Sequence, residues 1–122
     1  MIKQAIPVLH VSSSVAADDF YGSRLGFQRE FAHRTDATRP GPCYMGFKRD
    51  GIQIHVSSFS GDGVAGGVVN LIVDNVGELH REFLQKNVTI DTGPIDQSWG
   101  TREMYVMDAD RNSIRFQQRK GG

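Results

Sequence analysis

Apolar and polar positions along the chain change period several times, and each change marks an element. Residues 5–11 (AIPVLHV) form an apolar, branched run closed by Ser12-Ser13-Ser14, which predicts a buried strand followed by a helix start. From Val15 the pattern turns helical, with Val15, Phe20 and Leu25 as the apolar stripe and Asp18, Asp19 and Arg24 between them. Asp18 and Asp19 suit the positive end of the helix dipole, and Gly26 is a good stop. Strands are expected at Phe27–His33, Tyr44–Lys48 and Ile52–Ser57, with Asp50-Gly51 as a tight hairpin turn between the last two.

Residues 58–67 (SFSGDGVAGG) are glycine-rich and aperiodic, so they read as a flexible connector, after which the order recurs. Val68–Val73 is an apolar strand, and Asp74 or Asn75 can cap a helix running to about Lys86. Val76, Leu79, Phe83 and Leu84 form its apolar side, opposite Glu78, Arg81, Glu82 and Lys86. Val88–Asp91 is a short strand that Thr92-Gly93-Pro94 should break. Thr101–Met107 and Ser113–Gln118 complete the set, joined by the turn-rich run from Asp108 to Asn112.

The two halves superpose at an offset of about 60 residues, each reading strand, helix, strand, strand, strand. The expected fold is α+β: one domain over residues 1–122, with module one at about 1–60 and module two at about 66–122. A four-stranded sheet carrying one helix has one face covered, so two such βαβββ modules should curve as mixed sheets around a cleft, helices outside.

Composition narrows the function classes. The chain of 122 residues has 39% hydrophobic and 23% charged residues, enough for a packed core. Fourteen Lys plus Arg balance fourteen Asp plus Glu, so the general cationic footprint of a nucleic-acid binder is missing. No apolar run approaches the roughly 20 residues of a membrane span, and the opening MIKQAIPVLHV lacks the apolar core and cleavage site of a signal peptide. Cys43 is the only cysteine, which excludes an intramolecular disulfide and fits the cytoplasm.

Several strings resemble the vicinal oxygen chelate superfamily, which includes glyoxalase I, extradiol dioxygenases and the fosfomycin- and bleomycin-resistance proteins. They are Ile6-Pro7-Val8-Leu9 leading to Phe20-Tyr21 and Leu25-Gly26-Phe27, and Trp99-Gly100-Thr101-Arg102-Glu103-Met104 leading to Asp108-Ala109-Asp110-Arg111-Asn112 and Ile114-Arg115-Phe116. The second string is most similar to the bleomycin-resistance branch, with Ala109 in place of that branch's usual proline and Arg111 in place of its glycine.

Enzymes of the superfamily hold a divalent metal on the first and last strands of each half. The resemblance carries those positions to near Ile6, His55, Val68 and Arg115, of which only His55 is a suitable ligand. A slip in alignment brings in His10 but still no carboxylate. No metal or other cofactor is therefore expected, and a metal-dependent glyoxalase-like lyase or extradiol-type dioxygenase is the alternative class.

Other reactive side chains read blandly. His33 and His80 suit solvated positions, His10 a hydrogen-bonded place in the core, Cys43 inert burial, and Asp108 and Asp110 turn roles. No catalytic residue is assigned. Alternation along the strands puts Ile54, Val56, Ile114 and Phe116 in the core and aims His55 and Arg115 into the cleft. Trp99, alone in a polar loop, suits stacking on a flat or cationic ligand or packing at a subunit interface, and Phe31, Tyr44 and Phe47 are candidate aromatic walls. The resulting expectation is a homodimeric, non-catalytic small-molecule binder that sequesters its ligand, with no nucleic-acid or membrane partner. A plain interaction domain with a closed cleft is the third class.

Overall fold

The computed structural model describes residues 1–120 and contains two four-stranded mixed sheets. In chain order the elements are β1 (Val8–His10), α1 (Ser14–Ala17, continuing as a π-helix over Asp18–Arg24), β2 (Gln28–Arg34), β3 (Cys43–Arg49) and β4 (Ile52–Ser57). After the connector come β5 (Val68–Ile72), α2 (Val76–Gln85), β6 (Ile90–Asp96), β7 (Thr101–Met107) and β8 (Ser113–Arg119). The strand orders are β1-β4-β3-β2 and β5-β8-β7-β6, so the same topology occurs twice. In each sheet the first strand joins the last in parallel and the remaining pairs are antiparallel.

Alternation decides which face each sheet buries. Leu9, Met45, Phe47, Ile54 and Val56 of the first sheet and Val69, Met104, Val106, Ile114 and Phe116 of the second are buried in one core. They meet Ala17, Tyr21 and Leu25 from α1 and Val76 and Phe83 from α2. Both helices therefore cover the same kind of face, and the opposite face of each sheet has no helix on it.

The first helix departs from the expected stripe. Val15 is 65% exposed, and the buried positions are Ser14, Ala17, Tyr21 and Leu25. From Ala17 onward these recur every fourth residue, a spacing that the wider π turn keeps on one side. The Leu25 amide donates to the Phe20 carbonyl at 2.9 Å, five residues back. In α2, Asn75 is the cap, its side chain accepting from the Glu78 amide at 3.0 Å, while Leu84 faces outward rather than joining Val76 and Phe83.

Two strands differ from expectation. β1 is short because Pro7 has no amide to donate; its carbonyl still accepts from the His55 amide. β6 runs through Thr92-Gly93-Pro94 instead of stopping there. It is an edge strand whose register slips twice, so the missing proline donor falls outside the ladder, and Gly93 takes φ 86 where its backbone crowds the Glu103 carbonyl.

The modules are joined by a buried polar node. Asn112 Oδ1 accepts from the Gly66 and Gly67 amides, and its Nδ2 donates to the His10 carbonyl (2.8 Å) and to Asp108 Oδ2 (2.9 Å). Asp108 also accepts the Tyr21 hydroxyl at 2.8 Å and the amides of Asp110 and Asn112. Burial, together with the Asp108 charge, raises the Tyr21 hydroxyl far above its ordinary value, which keeps it a donor. A second tie is bidentate: Arg49 donates to both Glu82 oxygens at 2.8 Å and to the Leu25 carbonyl. Asp108 and Asp110 are thus turn residues, as expected, and Asp108 also links the modules.

Removing part of this node leaves buried groups unpaired. Asn112→Ala should cost about 2–4 kcal/mol and Tyr21→Phe about 1–2 kcal/mol in two-state urea unfolding. A loss below about 0.5 kcal/mol for both, within the range of ordinary surface changes, would show that the joint does not hold the modules.

Candidate functional site

The face of the first sheet opposite the core carries an aromatic cluster. Tyr44 on β3 and His55 on β4 share a hydrogen bond between the phenol oxygen and Nδ1 at 2.8 Å. Phe31 on β2 stacks parallel to Tyr44 at 6.1 Å between ring centroids and meets the His55 ring edge-on at 5.3 Å. Phe31 can lie flat across β3 because Gly46, directly opposite it, has no side chain; a Cβ there would collide with the ring. Phe31 remains 43% exposed, so the cluster is a surface and not an extension of the core.

Burial lowers the His55 pKa from its ordinary value, only partly offset by the Glu30 charge, so the ring is neutral at pH 7 and Nδ1 can accept the Tyr44 proton. Beside this cluster, His33 stacks on Phe59 at 6.4 Å, and Ser57 donates to Asp62 at 2.7 Å.

The uncovered face of the second sheet is built around Glu103. Its side chain is 1% exposed and accepts from Trp99 Nε1 at 3.0 Å, from the Tyr105 hydroxyl at 2.6 Å and from the Thr101 hydroxyl. Burial opposes ionisation, but the hydrogen bonds from Thr101, Tyr105 and Trp99 and the nearby Arg115 charge prevail and lower the carboxyl pKa. Arg115 lies over the Tyr105 ring, its guanidinium carbon 4.5 Å from the centroid, and its Nε donates to Ser113 at 3.2 Å. Trp99, in the turn between β6 and β7, is 66% exposed although its nitrogen is anchored. The indole is thus an exposed plate fixed by a buried carboxylate.

The expected site residues therefore fall into separate groups. Phe31, Tyr44 and His55 meet on the first sheet, and Trp99 and Arg115 are linked through Glu103 and Tyr105 on the second. Among the described residues, no hydrogen bond or ring contact joins the two groups. Neither His55 nor Arg115 lines the groove between the modules or the smaller pocket beside α1. Phe47 lies on the other side of its sheet, fully buried at 5.9 Å from the Tyr21 ring. It lies three positions after Tyr44, an odd offset that places the two on opposite faces.

A groove of about 890 Å³ lies between the modules, bounded by residues 4–7, the β3–β4 turn, β5 and the start of α2; none of the expected site residues lines it.

The donor set does not fit a divalent metal. Among the described residues no three His, Cys, Asp or Glu side chains converge. Val8 is level with His55 on the first sheet, and Asn70, not Val68, is level with Arg115 on the second. A divalent ion at the first pair would meet one imidazole, and at the second an amide beside a guanidinium. Glu103 and Tyr105 were missed as site residues, though Thr101, Glu103 and Tyr105 alternate onto the face that Arg115 occupies.

No helix among the described residues is long and apolar enough to cross a membrane. A glyoxalase/bleomycin resistance protein/dioxygenase superfamily member from Sphaerobacter thermophilus is similar in structure, with 22% identity, 97% of this chain and 98% of that chain covered, and a TM-score of 0.75. A glyoxalase/bleomycin resistance protein from a Streptomyces species has 22% identity over 95% of this chain and 100% of its own, also with a TM-score of 0.75. A bleomycin-binding protein solved in complex with bleomycin has 23% identity over 98% of this chain and 100% of its own, with a TM-score of 0.73. Among curated proteins no match is found. The family model described as glyoxalase superfamily protein matches residues 1–122, and the chain belongs to that superfamily.

Proposed function

We propose that this protein is a non-catalytic binder of a small, flat, drug- or antibiotic-like molecule, which it removes from solution without altering it. The observation that carries this reading is Trp99, a large exposed indole held in place by a buried carboxylate. A fixed aromatic plate costs little entropy on stacking, which is what a binding surface needs. Phe31, Tyr44 and His55 supply a second aromatic surface, and His55 and Arg115 supply polar groups to orient the guest. The similarity to a protein solved with bleomycin supports a binding role of this general type.

The working unit in this reading is a cytoplasmic homodimer of single-domain chains. Each chain exposes apolar side chains on both uncovered faces, Val8 and Phe31 on one and Val68, Ile72 and Met107 on the other. Opposing the first face of one copy to the second face of its partner covers these side chains and closes two equivalent clefts. His55 and Arg115 then face one cavity across the interface rather than within one chain. Nucleic acid and membrane are not partners in this reading.

Trp99 is the sole tryptophan, so its emission reports the site alone. A flat aromatic guest should quench it saturably, and Trp99→Ala should weaken binding by roughly 5- to 30-fold, as expected for a lost stacking contact of about 1–2 kcal/mol. Unchanged affinity in that variant would remove the plate from the binding surface. Protonation gives a second check. The folded chain binds fewer protons at His55 than the unfolded chain, so stability should fall as pH drops through about 6.5, the ordinary imidazole value. His55→Gln should flatten that slope in pH-dependent urea unfolding; a slope unaffected by the substitution contradicts the neutral ring.

A further inference from the structure

Arg115 lies near the Glu103 charge without pairing to it directly. Among the described residues it forms no ion pair, and its one hydrogen bond uses Nε on Ser113, leaving both terminal nitrogens unengaged. The carboxylate beside it is already committed: Glu103 takes its hydrogen bonds from Trp99, Thr101 and Tyr105. The groups across the strands from Arg115 are neutral, with Asn70 level with it on β5 and Tyr105 opposite it on β7. Gln117, the next residue on the same face, donates to Asn70 at 3.3 Å and so occupies that amide. A half-buried guanidinium held over a phenol ring, with its outer fork free, is preorganised for a planar oxyanion.

We infer that the ligand of this face is a flat aromatic carboxylic acid, its ring on Trp99 and its carboxylate forked on Arg115. The inference rests on the binding reading above and adds the charge of the guest. Glu103 ties the two contacts together, because it anchors the indole and also Tyr105, the ring under Arg115. The same carboxylate limits the guest to a single negative charge. A phosphate monoester would bring a dianion beside a buried, ionised Glu103 with only one cation to offset both. Thr101 and Tyr105 spend their hydroxyl protons on Glu103, so neither donates to a second oxyanion.

Calorimetric titration of the full chain with anthracene carboxylate, and separately with anthracene carboxamide, tests this. The two probes share ring and shape and differ in charge. The wild-type protein should bind the acid roughly tenfold or more tightly than the amide, the margin of a charge-assisted bidentate contact. In Arg115→Gln, shown to be folded by its far-ultraviolet dichroism, the acid should lose its advantage and bind no more tightly than the amide. Equal wild-type affinities overturn the acid inference and leave the aromatic-binding reading standing. An acid preference that survives Arg115→Gln also overturns it, since another cation then recognises the charge. If neither probe binds, the binding reading fails and takes this inference with it.

Discussion

One constraint governs the molecule: each four-stranded sheet has a single helix, and alternation along a strand gives each sheet two chemically different faces. Burying Ile54 and Val56 under α1, and Ile114 and Phe116 under α2, commits those faces to the core. His55 and Arg115, each one residue away, must then project from the other side. No special local device places them there. Moving either into the core would turn its whole strand over and expose the apolar set, at about 1.5–3 kcal/mol for each large side chain.

Polar contacts add direction to the shared apolar core in setting the relation between the two uncovered faces. Asn112 reaches from the β7–β8 turn to the amides before β5 and to the carbonyl of His10, and Asp108 draws Tyr21 of α1 onto the same turn. Arg49 and Glu82 make a second crossing nearer the surface. Hydrogen bonds between buried groups are directional, so they fix an angle where apolar contact alone permits sliding. This explains why the turn tolerates Ala109 and Arg111 at positions where the related branch usually has proline and glycine. Arg111 adopts φ 67, and the four-way satisfaction of Asn112 holds that conformation in place.

Much of this architecture was legible in the chain. The repeat at an offset of about 60 residues, the connector and the strands at Ile52–Ser57 and Thr101–Met107 follow from period and turn residues alone. The misreadings have specific causes. Phe47 was grouped with Tyr44 by residue type, although parity puts them on opposite faces. Val15 was placed on the buried stripe because a π turn changes the spacing that brings side chains together. Pro94 reads as a strand end by a rule that holds for interior strands and relaxes at an edge. Glu103 was invisible as a site residue because a lone Glu in a strand gives no signal of burial. Only its neighbours Trp99, Thr101 and Tyr105, brought to one point by the turn and the pleat, make it a structural anchor.

The central claim is that the uncovered faces recognise a guest by stacking and hydrogen bonding rather than by coordinating it to a metal. The donors on those faces include rings, a guanidinium, amides and the Glu103 carboxylate, which accepts three hydrogen bonds within the protein. The most direct measurement is an anomalous difference map from crystals grown in millimolar cobalt. The account predicts no cobalt bound by three or more protein ligands on either face. A cobalt ion held there by three or more side chains of one chain, or of two chains together, would contradict it.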